Sequence, residues 1–372
     1  MLSTSFLSRF VILLSACLLF FHGCATTKET AEVSLYADRG FRIAVFPFEN
    51  LSGTPVPIKE IRQGLIGNLK RQGFFVLDDD ALEKFMARHR IRYTGGIDQG
   101  TAKAFKEETG TEGVLITAME LLTDVNPPKV ALISRLVSTG DNPVILWMDG
   151  VGLAGDDSPG ILGLGLIEDT QVLLKKALQS LSNSLTDYVL TRKGKDGLRS
   201  VQRRFRPKTS YRSPEMERDK KYTLAIIPFF NKTERKNAAE ILALQFARQL
   251  TALGYFDVIE LGVIRQKLLN ARIIMDEGIS LPDVDFVANS LNADLILTGK
   301  VMDYQDYQGF SGKPKVDFSI VVIERKSRKI VWSSTSHNEG DDGVLLFDWG
   351  KINTAHAMVS KMARSIGEMM AK

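Results

Sequence analysis

The sequence has very little cysteine and histidine, and this shortage excludes several kinds of chemistry. Only two of the 372 residues are cysteine, Cys17 and Cys24, and both belong to the N-terminal signal region. Once Cys17 is removed and Cys24 carries a lipid, the folded part has no thiol for disulfides, thiolate catalysis or cysteine-ligated metals. No two of the histidines that then remain have helical or hairpin spacing. The sequence therefore predicts neither a metal site nor a cofactor.

The N-terminus predicts a signal peptide over residues 1–23. Residues 10–21 form a mostly apolar run that is too short to span a membrane as a mature helix. The run ends at Phe21-His22-Gly23-Cys24, which resembles a bacterial lipobox, so Cys24 is the predicted lipidation site. Cys17 is an alternative, because Leu14-Ser15-Ala16-Cys17 fits the lipobox pattern better, although cleavage there would leave an apolar N-terminus. An unlipidated secreted or membrane-retained form is the third alternative.

A lipid on Cys24 would anchor the chain at the periplasmic face of the outer membrane. Ala25 follows the cysteine, whereas Asp at that place keeps lipoproteins of enteric bacteria at the inner membrane. Residues 24–39 are then the lipidated N-terminus and a polar tether, of which residues 25–38 reach about 45 Å when they are extended. In that compartment we expect contact with the membrane through the anchor, a protein partner from an envelope or secretion machine, and no nucleic acid.

Residues 40–190 and 222–372 are predicted to be two copies of one domain. The runs RIAVFPFEN and TLAIIPFFN align at a shift of 181 residues, which sets Asn50 on Asn231. The same shift aligns Gly73 with Gly254, Phe105 with Phe286, and Thr117 with Thr298. The shift then steps to 185, which aligns Trp147 with Trp332 and Gly155-Asp156-Asp157 with Gly340-Asp341-Asp342. A period this long is typical of a duplicated domain and not of a solenoid repeat.

Each copy is predicted to be an α/β domain with the order β-α-β-α-α-β-β-β-α. Short runs of β-branched and aromatic residues that stop at Pro-Phe-x-Asn indicate buried strands. Apolar residues at helical spacing that end at Gly73 and Gly254 indicate helices. Residues 130–153 and 316–336 are predicted antiparallel hairpins, because turn residues divide each of them. This order implies a mixed sheet with helices packed on it.

Residues 191–221 separate the two copies and are strongly basic. Residues 191–222 include twelve Lys or Arg against four Asp or Glu, with glycines, prolines and little apolar periodicity, which is typical of a linker. One interpretation is a solvated spacer kept extended by self-repulsion. The other is contact with anionic lipid headgroups or an acidic partner. The residues proposed for that contact are Arg199, Arg203, Arg204, Arg206 and Lys208.

Each copy resembles the family of the curli production assembly and transport lipoprotein. The resemblance rests on the strands AVFPFEN and AIIPFFN, the helix stops GFFVL and GYFDV, the strands VLITAM and LILTGK, and the hairpin ends PVILW and KIVWS. The N-terminal domain of the Tol-Pal translocation protein and lipoprotein activators of penicillin-binding proteins are similar in the same way. The resemblance implies a role in secretion or envelope assembly without enzyme chemistry. The tandem copy departs from the single copy that is usual in that family.

Two sets of polar residues recur in both copies and are candidate ligand residues. Asn50 and Asn231 follow Pro-Phe-x at strand ends, and paired carboxylates are ligands that suit a hard cation. The paired carboxylates are Asp156, Asp157, Asp341 and Asp342. The alternative for both sets is a role in a turn. The run Gly150-Val151-Gly152-Leu153-Ala154-Gly155 matches a dinucleotide-binding pattern, but it does not open a helix, so no nucleotide site is predicted.

These observations favour an outer-membrane lipoprotein that acts as a non-catalytic scaffold or assembly factor in envelope biogenesis or secretion. The alternatives are a periplasmic module that binds or senses a small ligand, and a subunit of a curli-type secretion channel. No enzyme activity is predicted, because none of the candidate motifs supplies a catalytic constellation. Self-association into a homo-oligomer is left open.

Overall fold

Each half of the chain folds around one mixed β-sheet. The computed structural model describes residues 41–158, 165–191, 203–218, 220–273, 280–309, 312–344 and 350–372, which belong to one unit. The elements of the first half are β1 (Arg42–Val45), β2 (Glu49–Asn50), α1 (Ile58–Arg71), β3 (Phe75–Val76), α2 (Asp79–Arg88), α3 (Gln99–Thr109), β4 (Gly113–Thr123), β5 (Lys129–Ser138), β6 (Ile145–Ala154) and α4 (Thr170–Thr191). The strand order is β3-β1-β4-β5-β6, with β2 paired to β4. Strand β1 is parallel to β3 and β4, whereas β4, β5 and β6 are antiparallel.

The second half repeats this arrangement and adds one strand. Its elements are β7 (Thr209–Arg212), β8 (Tyr222–Ile226), β9 (Phe230–Asn231), α5 (Ala238–Leu253), β10 (Phe256–Val258), α6 (Leu261–Asn270), α7 (Leu281–Ser290), β11 (Leu295–Gln305), β12 (Lys315–Glu324), β13 (Ile330–Glu339) and α8 (Ala355–Ala371). The strand order is β10-β8-β11-β12-β13-β7, with β9 paired to β11. The predicted fold class, mixed sheets with helices packed on them, is confirmed.

The two sheets have matching registers. Trp147 pairs with Leu136 and Trp332 pairs with Val322, each beside a β-bulge, so the two tryptophans occupy equivalent places. Gly73 follows the last turn of α1 with a φ of 87°, and Gly254 caps α5 with a φ of 76°. Glycine adopts this conformation without the steric cost that other residues incur.

The registers also correct one part of the predicted alignment. Ala44 pairs with Val114, and its counterpart Ala225 pairs with Ile296, which makes the shift 182 residues in this part of the fold. Phe105 and Phe286 are therefore not equivalent. Phe105 is fully buried, whereas Phe286 is 48% exposed and its neighbour Val287 takes the buried place. Thr117 and Thr298 are likewise not equivalent, because they differ by 181 residues where the registers require 182.

Alternating residues of each sheet face two different helix layers. Leu224 and Ile226 of β8 belong to the core formed with α5 and α8, whereas Ala225 and Ile227 belong to the core formed with α6 and α7. This is the period of two that an extended strand imposes on its side chains. The second sheet is therefore covered by helices on both faces.

The first sheet is covered on one face by its own helices and on the other partly by the second half. Helix α4 contacts β5, β6 and α1, while Ala44 and Phe46 on the opposite face pack with α2 and α3. Beyond α2 and α3 the same face holds Ala118 and Ile133, which belong to the core of the second half. Helices α5 and α8 both contact β6. They lie between the two sheets, and the halves share one core.

Residues 203–218 of the basic segment are built into the second half. Strand β7 pairs with β13, and Phe205 and Met216 are 1% and 2% exposed. The interpretation of an extended, solvated spacer is wrong for these residues, because their few apolar side chains reach the core despite the surrounding charge. Sequence periodicity missed this, since one short strand and two separated anchors give no periodic signal.

The predicted signal peptide, Cys24 and the tether lie outside the described residues, as does Arg199. Within the residues that are described, no helix combines the length and the apolar content needed to cross a membrane.

Candidate functional site at the junction of the two halves

The two candidate asparagines hold the loops in which they lie. The side-chain amide of Asn50 donates to Thr54 O at 2.7 Å, and its Oδ1 accepts from Ser52 N at 3.0 Å. Asn231 repeats this arrangement with Arg235 O at 2.9 Å and Thr233 N at 3.0 Å. Both ends of each amide are used inside the loop, and this is the geometry of a turn role.

The four candidate aspartates lie at two equivalent strand ends. Asp157 accepts from Ala154 N at 2.8 Å after β6, and Asp342 accepts from Glu339 N at 3.0 Å after β13. Asp341 forms an ion pair with Lys313, and Asp156 is half-buried beside Asp157. These contacts close turns. Among the described residues, no group of three His, Cys, Asp or Glu side chains has the arrangement of a metal site.

The candidate basic residues divide into two kinds. Arg203, Arg206 and Lys208 are exposed. Arg204 instead stacks on the ring of Phe205 at 4.6 Å and donates to the carbonyls of Asp342 and Gly350. Arg204 therefore fastens the basic segment to the second half, and contact with a membrane or partner remains a prediction for the three exposed side chains.

A buried ion pair joins the halves. Arg135 of β5 donates through Nε to Glu260 Oε2 and through Nη2 to Glu260 Oε1, both at 2.9 Å. The two side chains are 3% and 0% exposed. Arg135 Nη2 also donates to Gly95 O at 2.6 Å, and Glu260 caps α6 by accepting from Gly262 N at 3.3 Å. Bidentate geometry and these extra hydrogen bonds are what a buried pair needs to offset the cost of desolvation.

A second buried polar cluster lies in the shared core. His356 Nδ1 of α8 is 2.6 Å from Glu120 Oε2 of β4, and Gln245 Nε2 of α5 donates to Glu120 Oε1 at 3.0 Å. Arg235 donates to Glu120 O of β4 at 2.6 Å and to Leu51 O, just after β2, at 3.0 Å. Polar groups from three elements thus fix the position of α5 and α8 against the first sheet.

Two glycines of β6 make room for this cluster. A Cβ atom on Gly150 would lie 2.9 Å from His356 Cε1, and one on Gly152 would lie 2.7 Å from His356 Cδ2. These distances are shorter than a carbon side chain can tolerate, so β6 accepts α8 only with glycine at both positions. The close approach of α8 to β6 explains the first two glycines of the dinucleotide-like pattern, and the third, Gly155, lies against Ile167 O and Pro128.

A cleft of about 410 Å³ opens beside the buried ion pair. The first half contributes Glu49, Tyr93 and Gly95, and the second half contributes mostly apolar side chains of α5 and α6. Leu268 on its wall is buried, whereas Leu269 at its rim is 55% exposed. Because both halves form the cleft, it keeps its shape only if the two halves are held rigidly together.

Glu49 is the half-buried acid of this cleft. A Cβ atom on Gly95 would lie only 2.3 Å from Glu49 Oε2, so the carboxylate rests directly on the glycine. Burial raises the pKa of the Glu49 carboxyl above its usual range; Arg135 opposes this, and the charge of Glu240 adds to it. Beside it, the Arg265 guanidinium stacks on the ring of Tyr93 at 4.3 Å from the centroid.

The polar groups of the cleft lining are few. Among the residues that line the cleft there is no Ser, Cys or His to act as a nucleophile or a neutral base. Sequence reasoning did not find Glu49, Glu120, Arg135 or Glu260. A signal existed for Glu120 and Arg135, because each stands inside an apolar strand run, where an ionised side chain needs a partner.

No protein-family model and no curated protein sequence matches the chain. Several solved structures are similar to part of it. The PelC dodecamer from Paraburkholderia phytofirmans has 18% identity, covers 44% of this chain and 96% of that chain, and gives a TM-score of 0.31. Lipoprotein GNA1162 from Neisseria meningitidis has 15% identity over 32% of this chain and 82% of that chain, with a TM-score of 0.28. The LpoB C-terminal domain from Salmonella enterica has 13% identity over 32% and 82%, with a TM-score of 0.24.

Proposed function

We propose that this chain is a non-catalytic, lipid-anchored docking component of the outer membrane that holds a protein partner at the junction cleft. The observation that carries the proposal is a cleft formed by both halves, next to the buried pair of Arg135 and Glu260. The apolar rim at Leu269 and the stacked pair of Tyr93 and Arg265 are surfaces that protein interfaces favour. The resemblance of both copies to the curli lipoprotein family supports a place in envelope assembly or secretion.

The proposal is tested by site-specific photocrosslinking in intact cells. A photoreactive residue at Leu269, which is 55% exposed at the cleft, should give a discrete crosslinked product of higher mass. The same residue at Val172, which is 52% exposed on α4, should not give this product. Equal products from both positions, or none from Leu269, would contradict docking at the cleft.

The lipid anchor has its own test. Cys24→Ser should leave an uncleaved precursor or release the protein from the outer-membrane fraction, because the acyl chains are the proposed attachment. Cys17→Ser should leave both the mass and the fractionation of the mature protein unchanged. Intact mass spectrometry and membrane fractionation measure both variants, and the reverse outcome would place the lipid on Cys17.

A small-ligand binding module is the second candidate function, and the volume of the cleft favours it. About 410 Å³ lies in the range of pockets for small molecules, with apolar walls and a few polar groups. The crosslinking test separates the two candidates, since a small ligand adds no protein to the product.

A further inference from the structure

The cleft presents a carboxylate that lacks a hydrogen-bond donor. Glu49 is half-buried, and no described residue donates to its side-chain oxygens. Glu240 of α5 lines the same cleft and is exposed, so a second negative charge faces the opening. A partly buried carboxylate gains most from a charged donor, which forms stronger hydrogen bonds than a neutral one.

Two positive groups lie near Glu49, and neither donates a hydrogen bond to it. The guanidinium of Arg135 is held by both oxygens of Glu260 and by Gly95 O. The guanidinium of Arg265 lies over the Tyr93 ring. Three carboxylates, those of Glu49, Glu240 and Glu260, therefore face two guanidiniums, and the cleft retains an excess of negative charge.

The walls around this charge are apolar and extend outward. Leu244 and Ile264 are buried at the base, while Leu269 at the rim is 55% exposed. An ammonium or guanidinium group on an alkyl stem matches such a site, because the stem packs on apolar walls while the charge meets the acid. The apolar lining includes side chains from the buried Leu244 to the exposed Leu269, which favours a chain segment with apolar neighbours over a free amine.

We propose that the junction cleft accepts an extended peptide segment of the partner in which a lysine or arginine is flanked by apolar residues. The basic side chain reaches Glu49, and its apolar neighbours cover the wall from Ile264 to Leu269. This inference rests on the proposed function, since it specifies the chemistry of the protein partner that docks there.

The test uses the full chain in a non-ionic detergent and a defined peptide, acetyl-Gly-Leu-Lys-Leu-Gly-amide. Its twin carries norleucine in place of lysine, which keeps the stem and removes the charge. Titration calorimetry should show that the lysine peptide binds about tenfold more tightly than its twin, or more. Hexylamine serves as the free amine and should bind more weakly than the peptide.

Glu49→Gln should remove most of this preference for lysine while leaving the thermal midpoint unchanged within a few degrees. Glu83→Gln is the matched control, because Glu83 is an exposed carboxylate on α2 outside the cleft lining. It should leave both affinities unchanged. Equal affinity for the two peptides, no effect of Glu49→Gln, or binding of hexylamine as tight as that of the peptide would each overturn the inference.

The preference for lysine should also depend on pH. Because the pKa of Glu49 is raised, the carboxylate becomes neutral at a higher pH than an exposed glutamate, and affinity for the lysine peptide should fall as the pH is lowered through that value. Glu240, Glu260, Arg135, Arg265 and Tyr93 face the same carboxylate, so the measurement is repeated on Glu49→Gln to isolate its contribution. A pH dependence unchanged in this variant would contradict the role of Glu49.

Failure here is distinguishable from failure of the proposed function. If a partner still crosslinks at Leu269 but the lysine peptide and its twin bind equally, docking at the cleft stands and the basic segment is wrong. If nothing crosslinks at Leu269, the docking function itself fails.

Discussion

Arg135→Leu should lower the free energy of unfolding by about 3–5 kcal/mol, the range typical of removing one partner from a buried ion pair. The variant leaves the carboxylate of Glu260, which is 0% exposed, without its bidentate donor. It also removes the hydrogen bond to Gly95 O. Urea denaturation followed by circular dichroism measures the change as a lower transition midpoint.

Two controls define the origin of this loss. Arg88→Leu removes one of the partners of Glu108 from a pair in which the arginine is 67% exposed, and it should cost far less than Arg135→Leu. Adding Glu260→Gln to Arg135→Leu removes the stranded charge but keeps an acceptor for Gly262 N, so the double variant should be more stable than the single one. A loss for Arg135→Leu as small as that for Arg88→Leu would show that the pair does not hold the junction.

Gly262→Ala should destabilise the junction by about 1–3 kcal/mol, as overpacking of a filled core does. A Cβ atom on Gly262 would lie 2.3 Å from Ile97 N and 2.7 Å from Gly96 C. These are backbone atoms, so no side-chain rotation relieves the clash and the two halves must move apart. The same denaturation experiment measures the loss.

Gly67→Ala is the matched substitution in α1. The nearest atom to a Cβ there is Arg71 Nη1 at 3.9 Å, at the end of a flexible side chain. Alanine in a helix should therefore stabilise this variant by about 0.5–1 kcal/mol relative to glycine. Equal effects of the two substitutions would mean that the close contact at Gly262 is not a constraint.

Local patterns in the sequence predicted the elements of the fold well. Strands such as β4 and β11 are buried for most of their length, so their apolar runs stand out, and Gly73 and Gly254 end helices through a backbone conformation that favours glycine. The predicted alignment of the two copies was off by one residue at α3 and α7. Phe286 shares its letter with Phe105, but burial depends on helix phase, and a shift of one residue turns a side chain by about 100°.

The junction could not be predicted in the same way. Arg135 and Glu260 lie 125 residues apart, and no local period relates them. Pairing of two charges across that separation depends on how the second half docks on the first sheet. The sequence could have shown that Glu120 and Arg135 need partners, but not which side chains supply them. Glu49 could not be predicted for the same reason, because its place in the cleft depends on Gly95 and on α5 and α6, which lie far away in the sequence.

The close fit of α8 on β6 makes the two halves different at a place where they pack closely together. The registers set Thr335 and His337 in the second sheet at the places that Gly150 and Gly152 hold in the first. Their side chains fill the space that a helix would need in order to approach as α8 does. The second sheet therefore could not receive a helix of the first half in the way that the first sheet receives α8. The two halves are therefore not interchangeable at this contact: the first sheet is shaped to receive α8, and the second sheet is not.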